Sequence, residues 1–186
     1  MKFSQHYPDE VKRRKWQNPE EIMQRIGLRE GMTFVDMGCG EGFFTIVAAR
    51  IVGASGKVIG IDINEKGIGR LKERARSEGL SNTFLIVGSA EDTEVSAGSA
   101  DFVFFGIDLH DFDDANRALK NAKMMLKRGG KVIDLDWKKK WMLKGPPASI
   151  RFSQEHASRL IEDAGFKIES VESSGRMHYL IVASPA

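Results

Sequence analysis

Short apolar runs and longer amphipathic segments alternate along most of the chain. Five β-rich runs of strand length predict strands; they lie at 33–36, 57–61, 84–87, 102–105 and 131–135. The runs at 84–87 and 102–105 are continuously apolar, as expected for strands buried on both faces of a parallel sheet. Three longer segments repeat apolar residues every three or four positions and predict helices; they lie at 43–52, 65–78 and 113–127. This alternation predicts a doubly wound α/β fold around a mostly parallel sheet, with helices on both faces.

The N-terminal end departs from this pattern. Residues 1–17 contain a basic cluster but no apolar period, and they are predicted to form an arm outside a single domain that spans 18–186. Asn18 followed by Pro19 is typical of a helix start, with an N-cap and a proline in the first turn. The sequence therefore predicts a short helix directly after the arm.

The C-terminal end also breaks the alternation. Ser153 is predicted to cap a last helix that ends at Gly165. Two β-rich runs, at 168–171 and 179–182, then follow with no helix between them. They are predicted to pair as antiparallel strands at one edge of the sheet.

Composition agrees with one globular domain. The chain has 186 residues, of which 41% are hydrophobic and 29% charged, with a net charge of +2 that does not by itself favour nucleic acid. Its single cysteine excludes an internal disulfide, and its four scattered histidines lack metal-ligand spacing, so no metal is expected. No apolar run approaches the ~20 residues of a membrane span, and the first residues lack a secretory signal. We expect a cytoplasmic protein without a membrane partner.

The most specific local pattern is Asp-x-Gly-x-Gly-x-Gly at 36–42, after the first predicted strand. Glycines there permit a tight turn and let a ligand approach bare amides at a helix N-terminus. A dinucleotide fingerprint would need its third glycine where Phe43 stands. Asp62 ends the second predicted strand, where a carboxylate can accept both ribose hydroxyls of a nucleoside. A plain turn, and a helix cap in the case of Asp62, are the structural alternatives.

The third and fourth predicted strands end at the same edge of the sheet. Their tips, Ser89-Ala90 and Phe105-Gly106, are expected to face the same ligand, because open α/β sheets bind ligands at this edge. His110 follows the fourth strand with Asp111 beside it, and a neutral imidazole can accept a proton near pH 7. We take His110 and Asp111 as the candidate catalytic pair, with a solvated or helix-capping histidine as the alternative.

The motifs at Asp36–Gly42, Asp62, Gly88–Glu91 and Leu126–Lys131 together resemble those of class I S-adenosylmethionine-dependent methyltransferases, over roughly residues 18–184. The resemblance implies a Rossmann-like three-layer sandwich with a seven-stranded sheet in the order 3-2-1-4-5-7-6. The similarity is strongest to the small methyltransferases around ubiquinone and menaquinone biosynthesis. It implies S-adenosylmethionine as the cofactor.

The same resemblance assigns cofactor-binding roles to individual residues. The glycine loop would hold the methionine part, Asp62 the ribose, and the remaining residues the adenine. The residues implied are Asp36, Gly38, Cys39 and Gly40 for the loop, Ile63 for the adenine face, and Ser89 with Ala90 for the adenine edge.

The acceptor is less well defined. Residues 136–151 carry five basic residues and one acidic residue, interleaved with aromatic ones, after the fifth predicted strand. This segment predicts an anionic or aromatic acceptor, with stacking on RNA bases or a solvated loop as alternatives. We expect a methyltransferase for a small molecule. An RNA or protein methyltransferase and an inactive cofactor-binding scaffold are the alternatives, and the sequence leaves a homo-oligomer open.

Overall fold

A seven-stranded sheet in the order β3-β2-β1-β4-β5-β7-β6 forms the middle layer of the protein. The computed structural model describes residues 10–186. The strands are β1 (Thr33–Met37), β2 (Lys57–Asp62), β3 (Thr83–Val87), β4 (Ala100–Gly106), β5 (Leu126–Trp137), β6 (Phe166–Ser174) and β7 (His178–Pro185). The first five strands pair in parallel, and β7 runs antiparallel to both β5 and β6. The predicted fold class and strand order are confirmed.

Helices cover both faces of the sheet. They are α1 (Glu10–Arg14), α2 (Pro19–Arg25), α3 (Thr45–Val52), α4 (Glu65–Ser77), α5 (Ala115–Met125) and α6 (Gln154–Asp163), with a 3₁₀ turn at Leu109–Asp111. Alternate residues of each central strand face opposite layers, so Phe34 packs with α2 and α3 while Val35 lies in the core formed with α5 and α6. In the described part of the chain, no helix is long and apolar enough to cross a bilayer.

The polar residues predicted to begin helices do so. The Asn18 side chain accepts a hydrogen bond from the backbone N–H of Glu21 at the start of α2. The Ser153 hydroxyl accepts one from the backbone N–H of His156, 3.2 Å away, at the start of α6. Each cap satisfies a backbone donor that the first turn of a helix leaves unpaired.

Two predicted helix boundaries are wrong. The helix predicted at 43–52 begins only at Thr45, because the preceding turn buries Phe43 and Phe44 instead. The helix predicted at 113–127 ends at Met125, since Leu126 already pairs with β4. Gly129 lies inside β5 with a φ of 81°, next to an irregularity in the β4–β5 register.

The expectation of two buried faces fails for β3. Phe84 and Val87 are 49% and 51% exposed and lie on opposite faces of β3, which is an edge strand of the sheet. The aliphatic part of Lys57 brings its ammonium 4.9 Å from the centre of the Phe84 ring. Each face of this edge strand therefore leaves one apolar side chain about half exposed.

Part of the predicted arm packs on the domain. Residues 1–9 lie outside the described residues, whereas Trp16 contacts the ring of Trp137 at 5.4 Å between centroids. Gln17 is 1% exposed, and its side-chain nitrogen lies 3.1 Å from Nε2 of His178. Trp16 and Gln17 thus pack on the domain, although the division at residue 17 stays a prediction.

Candidate functional site

A cleft of about 220 Å³ opens at the carboxyl ends of β1, β2 and β3. Five of the residues predicted to bind the cofactor line it: Gly38, Asp62, Ile63, Ser89 and Ala90. The other lining residues are Ile61, Gly88, Glu91, Asp92, Phe112 and Asp113. Residues that lie up to 52 positions apart in the sequence therefore meet in one concave site, as expected for the edge of a parallel sheet.

Asp62 links the cleft to the glycine loop. Its carboxylate is 4% exposed and accepts two backbone hydrogen bonds, from Gly40 at 2.7 Å and from Asn64 at 2.8 Å. The N-cap of α4 is Asn64, whose side chain accepts from the Gly67 N–H at 3.1 Å. The helix-cap alternative for Asp62 is thus wrong, because Asn64 caps α4. Asp62 instead holds the glycine loop through its hydrogen bond from Gly40.

The glycine loop is shaped by left-handed backbone conformations. Gly38 and Gly42 have φ values of 77° and 85°, which side chains other than glycine rarely adopt. A Cβ atom at position 38 would collide with the carboxyl group of Asp108, and one at position 42 with Leu71. The amides of Gly38 and Cys39 both donate to the carbonyl of Ile61, at 2.8 and 3.0 Å. The compact turn therefore requires glycine at positions 38 and 42.

Two of the predicted loop residues are buried beneath the turn. Asp36 is 1% exposed and accepts a hydrogen bond from the Thr45 hydroxyl at 2.6 Å. Burial raises the pKa of Asp36 to about 7, against the opposing effect of the Thr45 hydrogen bond, and the nearby charge of Asp62 adds to the increase. The Cys39 side chain packs in an apolar cluster with α3 and α4, and burial raises the pKa of its thiol well above the usual value. A thiol of this kind is an apolar packing group and not a nucleophile.

The turn after β3 is held in place by its own residues and by α5. The Ser89 hydroxyl accepts from the Glu91 N–H at 3.1 Å, and the Ala90 carbonyl accepts from the Asn121 side chain at 2.8 Å. One Glu91 carboxylate oxygen accepts from the Asp114 N–H at 2.9 Å. These bonds position Ser89 and Ala90 on one wall of the cleft before any ligand arrives.

Phe105 and Gly106, at the end of β4, were expected to face the ligand but are not among the residues that line the cleft. The Phe105 side chain is fully buried in the core, where its ring meets that of Phe112 edge-on at 5.7 Å, and Phe112 is the one that lines the cleft. Gly106 is followed by Ile107, whose φ of 76° makes it the one non-glycine residue of the described chain with a positive φ. A β-branched residue in this region stores roughly 1–3 kcal/mol of strain. The strained residue immediately precedes the polar groups at the end of β4.

One of these groups is Asp108, which the sequence analysis missed. It is 4% exposed, and neither carboxyl oxygen has a hydrogen-bond partner among the described residues. Burial raises its pKa well above the usual value, and the charges of Asp36 and Asp136 add to the increase. An unpartnered carboxyl group beside the glycine loop can accept a positively charged ligand group.

His110 is buried and paired, where a solvated loop residue was the alternative. Its Nδ1 lies 2.7 Å from Oδ2 of Asp136, and both side chains are fully buried. Asp111, the predicted partner, lies 3.9 Å from Nε2, beyond hydrogen-bond distance. The helix-capping alternative is wrong as well, because Asp114 caps α5. Asp136 had been considered only as part of the basic segment, although its place at the carboxyl end of β5 marks the same edge of the sheet.

Electrostatics at His110 favour its protonated form. Burial alone would lower the pKa of His110, but the charge of Asp136, the hydrogen bond to it and the charge of Asp111 outweigh burial and raise the pKa above its ordinary value. Burial raises the pKa of Asp111 too, and the charge of His110 opposes that increase. The imidazole can therefore take up a proton readily at neutral pH.

The basic segment after β5 is organised around one buried arginine. Arg151 is 2% exposed and donates to the carbonyl oxygens of Lys138, Lys140 and Lys144 at 2.9 to 3.2 Å, and to that of Pro146 at 2.8 Å. Trp141 remains 81% exposed. Trp137, in contrast, is fully buried and is unavailable for stacking on an acceptor.

Comparison with protein families gives a match over most of the chain. A family model described as a methyltransferase domain matches residues 28–175. A demethylmenaquinone methyltransferase of Staphylococcus aureus is 35% identical over 117 residues, which are 63% of this chain and 48% of that protein. The chain thus spans about half the length of the curated relatives it matches.

Solved structures share the fold over nearly the full chain. An S-adenosylmethionine-dependent methyltransferase from Aquifex aeolicus superposes with a TM-score of 0.90 at 28% identity, covering 95% of this chain and 94% of that one. A putative type 11 methyltransferase from Sulfolobus solfataricus has a TM-score of 0.74 at 29% identity, covering 90% and 91%.

Proposed function

Since the chain belongs to the methyltransferase domain family, whose model matches residues 28–175, we propose that it transfers a methyl group from S-adenosylmethionine to a small-molecule acceptor. The observation that carries this function is the cleft in which the glycine loop, Asp62 and the Ser89-Ala90 turn converge. A nucleoside with a cationic amino-acid tail matches this combination of a carboxylate, bare amides and a buried acidic neighbourhood. S-adenosylmethionine is the donor to expect, because the similar protein from Aquifex aeolicus is an S-adenosylmethionine-dependent methyltransferase.

The cleft accommodates the adenosine part of the cofactor. Asp62 already accepts one backbone hydrogen bond on each oxygen, and each oxygen retains a lone pair for a ribose hydroxyl. Ile63 is 52% exposed at the cleft and offers an apolar face to the adenine ring. Ser89 and Ala90 line the same cleft and would contact the adenine edge.

The methionine part extends along the glycine loop toward the end of β4. Gly38 and Gly40 lack side chains that would keep a ligand from the backbone, and Asp108 lies directly beside Gly38. Burial raises the pKa of Asp36 and Asp108, and a positively charged ligand would favour their ionised forms, because opposite charges attract strongly where water is excluded. When bound, S-adenosylmethionine supplies a methyl group already activated by its sulfonium, so the protein mainly aligns the acceptor and excludes water.

The acceptor approaches from the ends of β4 and β5. There His110 can receive the proton that the acceptor gives up. The segment held by Arg151 follows β5 directly and carries exposed Lys139, Lys140 and Trp141. These groups fit an aromatic or anionic small molecule. A short-chain demethylmenaquinone is the first acceptor to test, because the Staphylococcus aureus relatives are demethylmenaquinone methyltransferases.

A methyl-transfer assay with radiolabelled S-adenosylmethionine tests this function. The protein is incubated with the short-chain demethylmenaquinone in oxidised and reduced form, and separately with small-metabolite, RNA and protein fractions of a cell extract. We expect label in a small molecule, and much less label with the Asp62→Ala variant. Label confined to RNA or protein would contradict the small-molecule acceptor. Cofactor binding without label in any fraction would instead indicate an inactive scaffold.

A further inference from the structure

The His110–Asp136 pair joins the ends of two neighbouring strands. His110 lies in the 3₁₀ turn after β4, and Asp136 is the penultimate residue of β5. Their side chains meet at 2.7 Å with no solvent exposure. The sheet holds both elements in place, because β4 and β5 pair in parallel and Asp136 also lies opposite Tyr179 of β7. The pair is therefore a fixed feature of the fold.

The hydrogen bond determines which imidazole nitrogen carries the proton. An ionised carboxylate only accepts hydrogen bonds, so Nδ1 of the neutral His110 must donate to Asp136. Nε2 is then left with its lone pair. This nitrogen is buried and has no hydrogen-bond partner among the described residues. Because buried polar atoms without partners are rare in folded proteins, this unpaired nitrogen points to a function.

We propose that Asp136 is a positioning residue that holds His110 in the Nδ1-protonated form and directs Nε2 to accept the proton of the methyl acceptor. The inference rests on the proposed methyltransferase function. In the step it describes, an electron pair of the acceptor, a π pair where the acceptor atom is a ring carbon, forms a bond to the methyl carbon. The electron pair of the broken carbon–sulfur bond goes to sulfur. The proton released by the acceptor bonds to Nε2 of His110, and Asp136 balances the imidazolium charge.

Other charged groups around His110 do not compete for this role. Asp111 in the same turn lies on the Nε2 side at 3.9 Å, and Arg151, from the segment before α6, opposes protonation by its positive charge. Asp134 lies on β5 two residues before Asp136 and is fully buried, yet it makes no hydrogen bond to His110 in the described structure. Asp134→Asn is therefore a matched control for Asp136→Asn.

Nitrogen NMR of the protein labelled with ¹⁵N-histidine tests the positioning without an acceptor. In the wild type we expect His110 to carry its proton on Nδ1 and to titrate above pH 6.5, the ordinary value. Asp136→Asn should shift this titration to lower pH, since the countercharge is lost, and Asp134→Asn should shift it much less. A proton on Nε2, or an equal shift in the two variants, would overturn the proposal.

Kinetics on the short-chain demethylmenaquinone, or on the labelled small molecule found in the extract, tests the proton transfer. Turnover should rise with pH as His110 loses its proton, and Asp136→Asn should move this limb to lower pH while reducing the plateau roughly ten-fold or more. The KM for S-adenosylmethionine should stay unchanged. A reduced plateau with an unmoved limb would mean that Asp136 only supports the structure.

Different results would contradict the proposed function and the role of Asp136. If the wild type does not bind S-adenosylmethionine by calorimetry, the proposed function is wrong whatever the NMR result. If the cofactor binds and methyl transfer proceeds but the pH limb does not depend on Asp136, the function stands and the inference is overturned.

Discussion

Replacing Asp62 by alanine should weaken S-adenosylmethionine binding far more than it weakens the fold. The variant removes a carboxylate that accepts from Gly40 at 2.7 Å and from Asn64 at 2.8 Å, and it removes the acceptor for the ribose hydroxyls. A hydrogen bond to a charged group contributes ~1.5–3 kcal/mol. Loss of the ribose contacts alone should thus raise the Kd about 10- to 150-fold. Loosening of the glycine loop at Gly40 adds to the effect.

Isothermal titration calorimetry with S-adenosylhomocysteine measures this change. Asn64→Ala is the matched control, because it removes only the N-cap of α4, at a cost of ~1 kcal/mol in the free energy of unfolding. The Kd of the Asn64→Ala variant should remain within a factor of two or three of the wild-type value, because Asn64 is not assigned a contact with the cofactor. An Asp62→Ala variant that is folded by circular dichroism and binds as tightly as the wild type would refute the assignment of Asp62 to the ribose.

Three further results are expected. The protein should bind S-adenosylmethionine and S-adenosylhomocysteine but neither NAD nor NADP with comparable affinity, since Phe43 replaces the third glycine of the dinucleotide fingerprint; calorimetry showing the reverse preference would contradict this. The pKa of Asp36 is raised from 3.8 to about 7, so its contribution to the free energy of unfolding falls as the pH rises between these values. Asp36→Asn should therefore gain stability relative to the wild type between pH 5 and pH 8 in urea titrations, and an unchanged difference would refute the burial argument. Replacing Lys138, Lys139 and Lys140 together by serine should leave cofactor affinity nearly intact and reduce methyl transfer; normal turnover would show that these lysines are only solvated surface.

The residues that line the cleft were predictable because their signals are local in sequence. The glycine loop, Asp62 and the Ser89-Ala90 turn each follow directly after an apolar strand, and parallel pairing brings all three strand ends together. The alternation of elements indicated a mostly parallel sheet, whereas the strand order was implied by the resemblance to class I methyltransferases. Phe105 shows the limit of this reasoning, since strand alternation alone did not reveal that its ring faces the core and not the cleft.

The acceptor side was less predictable because it depends on contacts between distant segments. The His110–Asp136 pair spans 26 positions and forms only when β4 and β5 align, so the neighbouring Asp111 was the more obvious partner in sequence. Arg151 could be counted as a positive charge, but nothing local indicates that it is buried among the carbonyl groups of its own loop. Asp108 was missed because its burial depends on how the glycine loop folds over it.

A crystal structure of the protein with S-adenosylhomocysteine tests the central claim most directly. The account predicts the ribose hydroxyls on the Asp62 carboxylate, the adenine between Ile63 and the Ser89-Ala90 turn, and the homocysteine part along Gly38–Gly40, with its sulfur toward the end of β4. Adenosine bound elsewhere, or a cleft at β1–β3 that stays free of ligand at saturating S-adenosylhomocysteine, would contradict the assignment of this site to methyl transfer.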